Sequence, residues 1–104
     1  MEVTDKIVPA PVTTKKAHGD VISHRGPLKI FRIVLPLGGA LPEHPAADDL
    51  IIVGVRGVGT ILVEQEVRHV SAGEVVELRR GDRHSVDAET ELELVVIQGP
   101  QPPQ

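Results

Sequence analysis

The chain has 104 residues and a mass of 11.2 kDa, with 40% apolar residues, 25% charged residues and a net charge of −4. This length suffices for one domain with one hydrophobic core, and the composition excludes a disordered chain. There is no cysteine, which excludes disulfides, thiolate nucleophiles and Cys-based zinc or iron–sulfur sites.

Two classes of partner are excluded as well. Phe31 is the only Phe, Tyr or Trp in this acidic chain, so the basic grooves and stacking platforms that bind nucleic acid are missing. The longest apolar run, Leu50–Val55, is far too short to span a membrane. The N-terminal residues Met1–Asp5 lack the basic and then apolar pattern of a signal peptide. We therefore expect a cytoplasmic protein with no membrane contact.

In chain order, the sequence divides into an arm, a body and a tail. Residues 1–19 contain Pro9 and Pro11 without any periodicity, which is typical of an arm. We expect residues 20–98 to form one β-barrel domain and residues 99–104 to form a proline-rich tail. Within the body, short runs of β-branched and apolar residues are separated by turn residues. The predicted strands are 28–35, 50–55, 58–64, 67–70, 74–78, 84–86 and 92–97.

No segment of the body keeps the spacing of an amphipathic helix over more than two turns. Short strands with closely spaced turn signals are typical of an all-β fold, either a barrel or a sandwich. The sequence therefore predicts a small antiparallel barrel made of two packed sheets.

The histidines are the main candidates for chemistry. His18 falls in the arm, His24 in a turn and His69 near the end of a hairpin strand, where an exposed or packed role is expected. His44 and His84 differ because each follows a glycine turn that can direct it into a barrel mouth. These two residues are the predicted polar groups of a site.

The segment around His44 resembles the first motif of the cupin family. That motif reads Gly, five residues, His-x-His, three or four residues, Glu, six residues, Gly. Gly38, His44 and Gly57 match it, whereas Ala46 stands at the second histidine and Leu50 at the glutamate.

The segment around His84 is similar to the second cupin motif. Gly73, Gly81 and His84 match it without a gap, while Arg79 and Ala88 replace its proline and asparagine. The resemblance covers residues 28–97, and the motifs come in the family's order. It implies a small single-domain, RmlC-like cupin with a double-stranded β-helix, or jelly-roll, barrel.

The resemblance also implies a reduced metal site. Cupins typically hold a divalent metal with both histidines and the glutamate of the first motif and the histidine of the second. Only His44 and His84 remain here. Asp48 is a candidate substitute ligand on the condition that the strand already runs at this position, because it is then on the same side of the strand as Leu50. With only two imidazole ligands, we expect either no cofactor or a weakly held divalent metal. Such a metal would be zinc or nickel rather than iron or manganese.

The replacements at the ligand positions are apolar, and this predicts a pocket. Ala46, Leu50 and Ile52 are an even number of residues apart and are therefore expected on one side of their strand. His84 and Val86 are likewise expected on one side of theirs. Apolar walls with a few placed polar groups are typical of small-molecule sites, although a fully packed core is the alternative. The predicted pocket residues are His44, Ala46, Leu50, Ile52, His84 and Val86.

Arg32 interrupts the apolar strand 28–35 and has two interpretations. If Ile30 and Val34 face inward, Arg32 is a cation inside the pocket that suits a carboxylate. If Phe31, Ile33 and Leu35 face inward, Arg32 is a surface residue, and this second arrangement is favoured.

Three functions stay open at this stage, and no catalytic residue is assigned. The first is a module that binds a small organic molecule near His44 and His84 with a reduced or absent metal site. The second is a metal-dependent enzyme, similar to a dioxygenase or isomerase of the cupin type. The third is a non-catalytic structural homodimer with a packed interior. The resemblance implies a homodimer, in which the arm and apolar strands would cover the edge of a partner's sheet.

Overall fold

The computed structural model describes residues 17–99, and this part of the chain folds into nine β-strands. They are β1 (His18–Arg25), β2 (Leu28–Leu35), β3 (Ala40–Pro45), β4 (Leu50–Arg56), β5 (Gly59–Val63), β6 (Glu66–Val70), β7 (Val75–Leu78), β8 (Arg83–Ala88) and β9 (Leu92–Gln98). Within the described range no helix is long and apolar enough to cross a membrane. The sequence predictions for residues 1–16 and 100–104 lie outside the described residues.

The strands form two antiparallel sheets that face each other. The larger sheet has five strands in the order β1-β2-β9-β4-β7, and the smaller has four in the order β3-β8-β5-β6. Strands that are neighbours in sequence repeatedly lie in different sheets, which is the crossing pattern of a jelly roll. The predicted all-β jelly-roll barrel is therefore confirmed.

The core follows from strand alternation, because successive side chains point to opposite faces of a sheet. On β2, Phe31, Ile33 and Leu35 are buried, while Arg32 between them is exposed. Arg32 is therefore a surface residue, as in the second of the two interpretations given above. Six side chains are almost completely excluded from solvent: Leu35, Ile61, Val70, Leu78, Leu92 and Leu94.

Two strands, β1 and β3, escaped the sequence prediction. Residues His18 and His24, assigned to an arm and a turn, both lie in β1, which begins inside the range predicted as the arm. β3 contains two prolines, Pro42 and Pro45. Both strands lie at a sheet edge, where one side of the backbone is not required for pairing and polar residues and prolines are tolerated.

The outer face of the five-stranded sheet is apolar, although it does not face the core. Strand register places β-branched residues side by side there, since Ile51 lies opposite Ile97 and Val53 opposite Val95. Arg32 lies 3.7 Å from Glu93 on the same face. We call this surface the outer apolar face; its members are Ile30, Val34, Ile51, Val53, Val75, Val95 and Ile97.

A strained hairpin turn joins β5 and β6. Glu64 and Gln65 both have positive φ, 47° and 71°, as a two-residue type I′ hairpin requires. Residues with a Cβ adopt this conformation reluctantly, and Asn-Gly is the usual choice. The turn is held by Arg83, because Glu64 N donates to Arg83 O and Arg83 N donates to the Glu64 carboxylate.

Candidate functional site

His44 and His84 lie side by side on the inner face of the four-stranded sheet. They are direct partners across the β3–β8 pair, and their ring centroids are 4.3 Å apart with the planes tilted by 54°. The register shifts between Leu41 and His44, a bulge that leaves both residues on the face of the buried Leu41 and Val86. Two imidazoles that are distant in sequence therefore meet at one place in the barrel.

Both rings are anchored in the same way. His44 Nδ1 lies 2.9 Å from the Pro42 carbonyl oxygen, and His84 Nδ1 lies 3.1 Å from the Asp82 carbonyl oxygen. A carbonyl oxygen can only accept, so each Nδ1 carries the proton and donates it. In the neutral ring this leaves Nε2 with its lone pair. The site thus offers two imidazole nitrogens that act as hydrogen-bond acceptors or as ligands.

Burial keeps the imidazole ring of His84 neutral. His84 is only 4% exposed, and removal from water lowers its pKa below the ordinary value of 6.5; the neighbouring His44 lowers it further, while the Asp82 carbonyl and carboxylate oppose the shift. His44 is half-buried. Near neutral pH, His84 therefore presents an uncharged ring to the interior.

The residues that the sequence predicted as apolar walls belong to the hydrophobic interior of the barrel. Ala46, Leu50, Ile52 and Val86 are all buried, with exposures between 3% and 8%. Ala46 follows β3 and is tied to the β7–β8 turn, since its N–H donates to Asp82 O and its carbonyl accepts from Gly81 N. The Asp82 carbonyl thus holds both the His84 ring and the end of β3.

The residues present do not fit the four-ligand metal site that the resemblance implies. The positions of the missing histidine and glutamate hold Ala46 and Leu50, which are buried and apolar. Asp48 lies in the bend between β3 and β4 and not in a strand, so the parity argument for it does not apply. Across residues 17–99 no group of three His, Cys, Asp or Glu side chains is placed to hold a metal ion. His44 and His84 remain the two candidate ligands.

A charged pair on β6 is a feature that the sequence analysis missed. Arg68 lies opposite Ile61 in the β5–β6 pair, and Ile61 lies opposite Val86 in the β5–β8 pair. Paired residues share a face of the sheet, so Arg68 is on the inner face with two buried residues. Its Nη2 lies 3.2 Å from Glu66 Oε1, and Glu66 belongs to the same face. Alternation from the buried Val70 was the signal that could have found both residues.

The comparison with known proteins identifies the fold. No family model and no curated protein matches the sequence. Among solved structures, an RmlC-like cupin from Shewanella frigidimarina is 14% identical with a TM-score of 0.78, and the match covers 88% of this chain and 85% of that one. An RmlC-like cupin from Desulfovibrio desulfuricans is 23% identical with a TM-score of 0.74, covering 82% and 83% of the two chains.

A larger enzyme contains the same architecture. Salicylate 1,2-dioxygenase from Pseudoaminobacter salicylatoxidans matches with 14% identity and a TM-score of 0.75, over 80% of this chain but only 26% of the enzyme. Likeness at this level of identity concerns the fold. The nine strands and their two-sheet order give this protein the fold of a small RmlC-like cupin.

Proposed function

We propose that this protein binds a small organic molecule inside the barrel, next to His44 and His84, without a tightly held metal. The observation that carries the proposal is the convergence of two imidazoles with the same backbone anchor among buried apolar residues. Sites for small molecules combine apolar walls with a few precisely held polar groups.

The hydrogen-bonding state of the rings indicates what kind of ligand fits. Each Nδ1–H is already donated to a backbone carbonyl, so the remaining Nε2 atoms accept hydrogen bonds. A ligand that pairs with them offers donors, and a hydroxyl group is the simplest donor. The apolar residues Leu50, Ile52 and Val86 suit a hydrocarbon or aromatic body. We therefore favour hydroxylated aromatic or aliphatic compounds.

The experiment is a binding assay with small uncharged hydroxy compounds: phenol, catechol and 4-hydroxybenzamide. Binding is expected to raise the melting temperature by mass action and to shift the His44 and His84 ring signals in NMR spectra. His44→Ala should abolish the response. His69→Ala, a change at an exposed histidine of β6, is the matched control and should leave it intact. If no compound of the panel perturbs either ring, the binding function is wrong.

Metal content separates this proposal from a metal-dependent enzyme. We expect far less than one equivalent of metal in protein purified without a histidine tag or chelator, because two imidazoles alone hold metals weakly. The Nδ1–carbonyl anchors and the dioxygenase among the fold neighbours favour the enzyme as the second candidate. Stoichiometric zinc, nickel, iron or manganese by elemental analysis would overturn the metal-free proposal and favour that second candidate. Protein concentration must come from amino-acid analysis, since the chain has no Trp or Tyr.

We also propose that two copies associate through the outer apolar face. Its β-branched residues form a continuous patch in the middle of the five-stranded sheet. The neighbouring charges Arg32, Arg56 and Glu93 are paired within the face, and Glu77 lies on the edge strand β7. A second copy can therefore cover the central strands without burying an isolated charge. Apolar sheet faces stack on each other at about 10 Å. For a chain with a net charge of −4, this neutral patch is the favourable place for a copy to approach.

The size of the protein in solution tests this association. We expect a dimer in sedimentation equilibrium and a monomer for Val53→Lys, which places a charge between Val75 of β7 and Val95 of β9 in the middle of the patch. Val67→Lys is the control, because Val67 is 56% exposed on a strand of the other sheet. A wild-type monomer at high concentration, or equal dissociation by both variants, would refute the interface.

A further inference from the structure

The edge strand β6 places charge where the rest of the four-stranded sheet has apolar and imidazole groups. One row across the inner face runs His44, His84, Val63 and Glu66, as the three strand pairings define it. The adjacent row runs Leu41, Val86, Ile61 and Arg68. Arg68 therefore begins on the same surface as the two histidines, one row along and two strands away.

Two side chains of β5 lie between the rings and the guanidinium: Val63 in the row of the histidines and Ile61 in the row of Arg68. Two strand spacings separate the backbones of β8 and β6 by about 10 Å, and one row adds about 7 Å along the strand. The ring of His84 and the long side chain of Arg68 start from the same face of the sheet. Ile61 is fully buried, whereas Val63 is only partly buried, so a molecule that reaches both groups would lie over Val63. A compound with one substituted aromatic ring has the length that this distance requires.

Arg68 is available to such a compound. Its side chain is 51% exposed, and its partner Glu66 is 69% exposed. An ion pair between exposed side chains contributes little free energy, so a ligand that brings its own carboxylate displaces or shares it at small cost. The planar guanidinium has five N–H donors and binds a carboxylate in a bidentate manner, whereas the contact to Glu66 involves Nη2.

We propose that the ligand is a small hydroxy acid, with its hydroxyl at His44 and His84 and its carboxylate on Arg68. The inference rests on the proposed binding function and adds the chemical class of the ligand and the residue that selects it. Arg32 was the cation that the sequence offered for a carboxylate. It is excluded from this role because it lies on the outer face of the five-stranded sheet.

Matched pairs of acid and amide test the class. We would titrate wild-type protein with 4-hydroxybenzoate and 4-hydroxybenzamide, and with 4-hydroxyphenylacetate and its amide, by calorimetry. The acid of each pair is expected to bind about tenfold or more tightly than the amide, as for a hydrogen-bonded charge pair. In Arg68→Gln the acid should lose this advantage while the affinity for the amide stays unchanged.

Arg32→Gln is the matched control. Arg32 is 45% exposed and lies near one glutamate, like Arg68, so the substitution changes the net charge equally but on the outer face. It should preserve the preference for the acid. Equal affinity for acid and amide in the wild type, or the same loss in both variants, overturns the assignment to Arg68 and leaves the binding function standing. Failure of both acid and amide to bind would overturn the function together with the assignment.

Discussion

The two sheets of the barrel carry different kinds of side chain on their inner faces. In the five-stranded sheet, the buried residues of β2, β4, β7 and β9 are apolar or glycine. In the four-stranded sheet, the inner rows combine apolar residues with His44, His84 and the Glu66–Arg68 pair. The difference suggests a division of labour, in which one sheet mainly stabilises the fold and the other presents the groups that recognise a ligand.

The largest expected effect comes from the core of the five-stranded sheet. Leu94 is 1% exposed in the central strand β9, so Leu94→Ala leaves a cavity as well as removing apolar contact. We expect the free energy of unfolding to fall by about 3 kcal/mol. Urea denaturation measures this loss. If the sheets divide the work as described, the folded variant keeps the wild-type affinity for 4-hydroxybenzamide; a large loss of affinity would contradict the division.

The connection between the sheets should be nearly as sensitive. Gly57 joins β4 to β5 with φ of +88°, and a Cβ there would collide with the backbone carbonyl of Glu91. Gly73 has a similar φ of +85° but open space around it. We expect Gly57→Ala to destabilise the protein by more than 2 kcal/mol and Gly73→Ala by about 1 kcal/mol, the cost of the left-handed conformation alone. Thermal melting of the two variants compares them, and equal losses would show that the collision relaxes.

The four-stranded sheet should make stability depend on pH. Burial lowers the pKa of His84 in the folded state, whereas in the unfolded chain this residue binds a proton near its ordinary value of 6.5. Between the two pKa values the unfolded state binds more protons, so this contribution to stability is complete above about pH 6.5 and declines as the pH falls. Urea midpoints at pH 7.5 and 5.5 should differ less for His84→Gln than for the wild type. His69→Gln serves as the control, and an unchanged difference in His84→Gln would refute the effect.

The smallest effect is expected on the outer surface of the five-stranded sheet. Arg32 lies 3.7 Å from Glu93 with a side chain that is 45% exposed. Arg32→Ala should therefore change the free energy of unfolding by less than about 1 kcal/mol, and by less still in 1 M salt. Denaturation at low and high salt checks this. A loss comparable to that of Leu94→Ala would mean that the outer face is part of the stabilising core.

The strands whose side chains are buried on one face, or on both faces, of a sheet were predicted well from the sequence. β2 was predicted with its observed bounds, because Phe31, Ile33 and Leu35 alternate with more exposed residues between two prolines. β1 and β3 were missed, because edge strands need neither continuous apolar residues nor a complete set of N–H donors. Local pattern therefore identifies central strands better than edges.

The site shows a similar limit. Two glycine-flanked histidines could be selected from the chain, and the fold brings their rings together. The contribution of β6 was missed. Alternation from Val70 places Arg68 and Glu66 on one face of the strand, but only the pairing with Ile61, and of Ile61 with Val86, shows that this is the face of the histidines. For Asp48, the condition that a strand runs at this position is not met, since the residue lies in a bend.

The hairpin turn at Glu64 and Gln65 has a consequence for how a ligand enters. Arg83 clamps this turn through its backbone N–H and carbonyl, one residue before the buried imidazole of His84. Because hydrogen bonds to the Arg83 backbone fasten this turn, it should not act as a movable flap. The surface on this side of the barrel should keep the same shape in the free and the ligand-bound protein. Ligands would then be selected by their fit to a preformed opening and not by a closing movement.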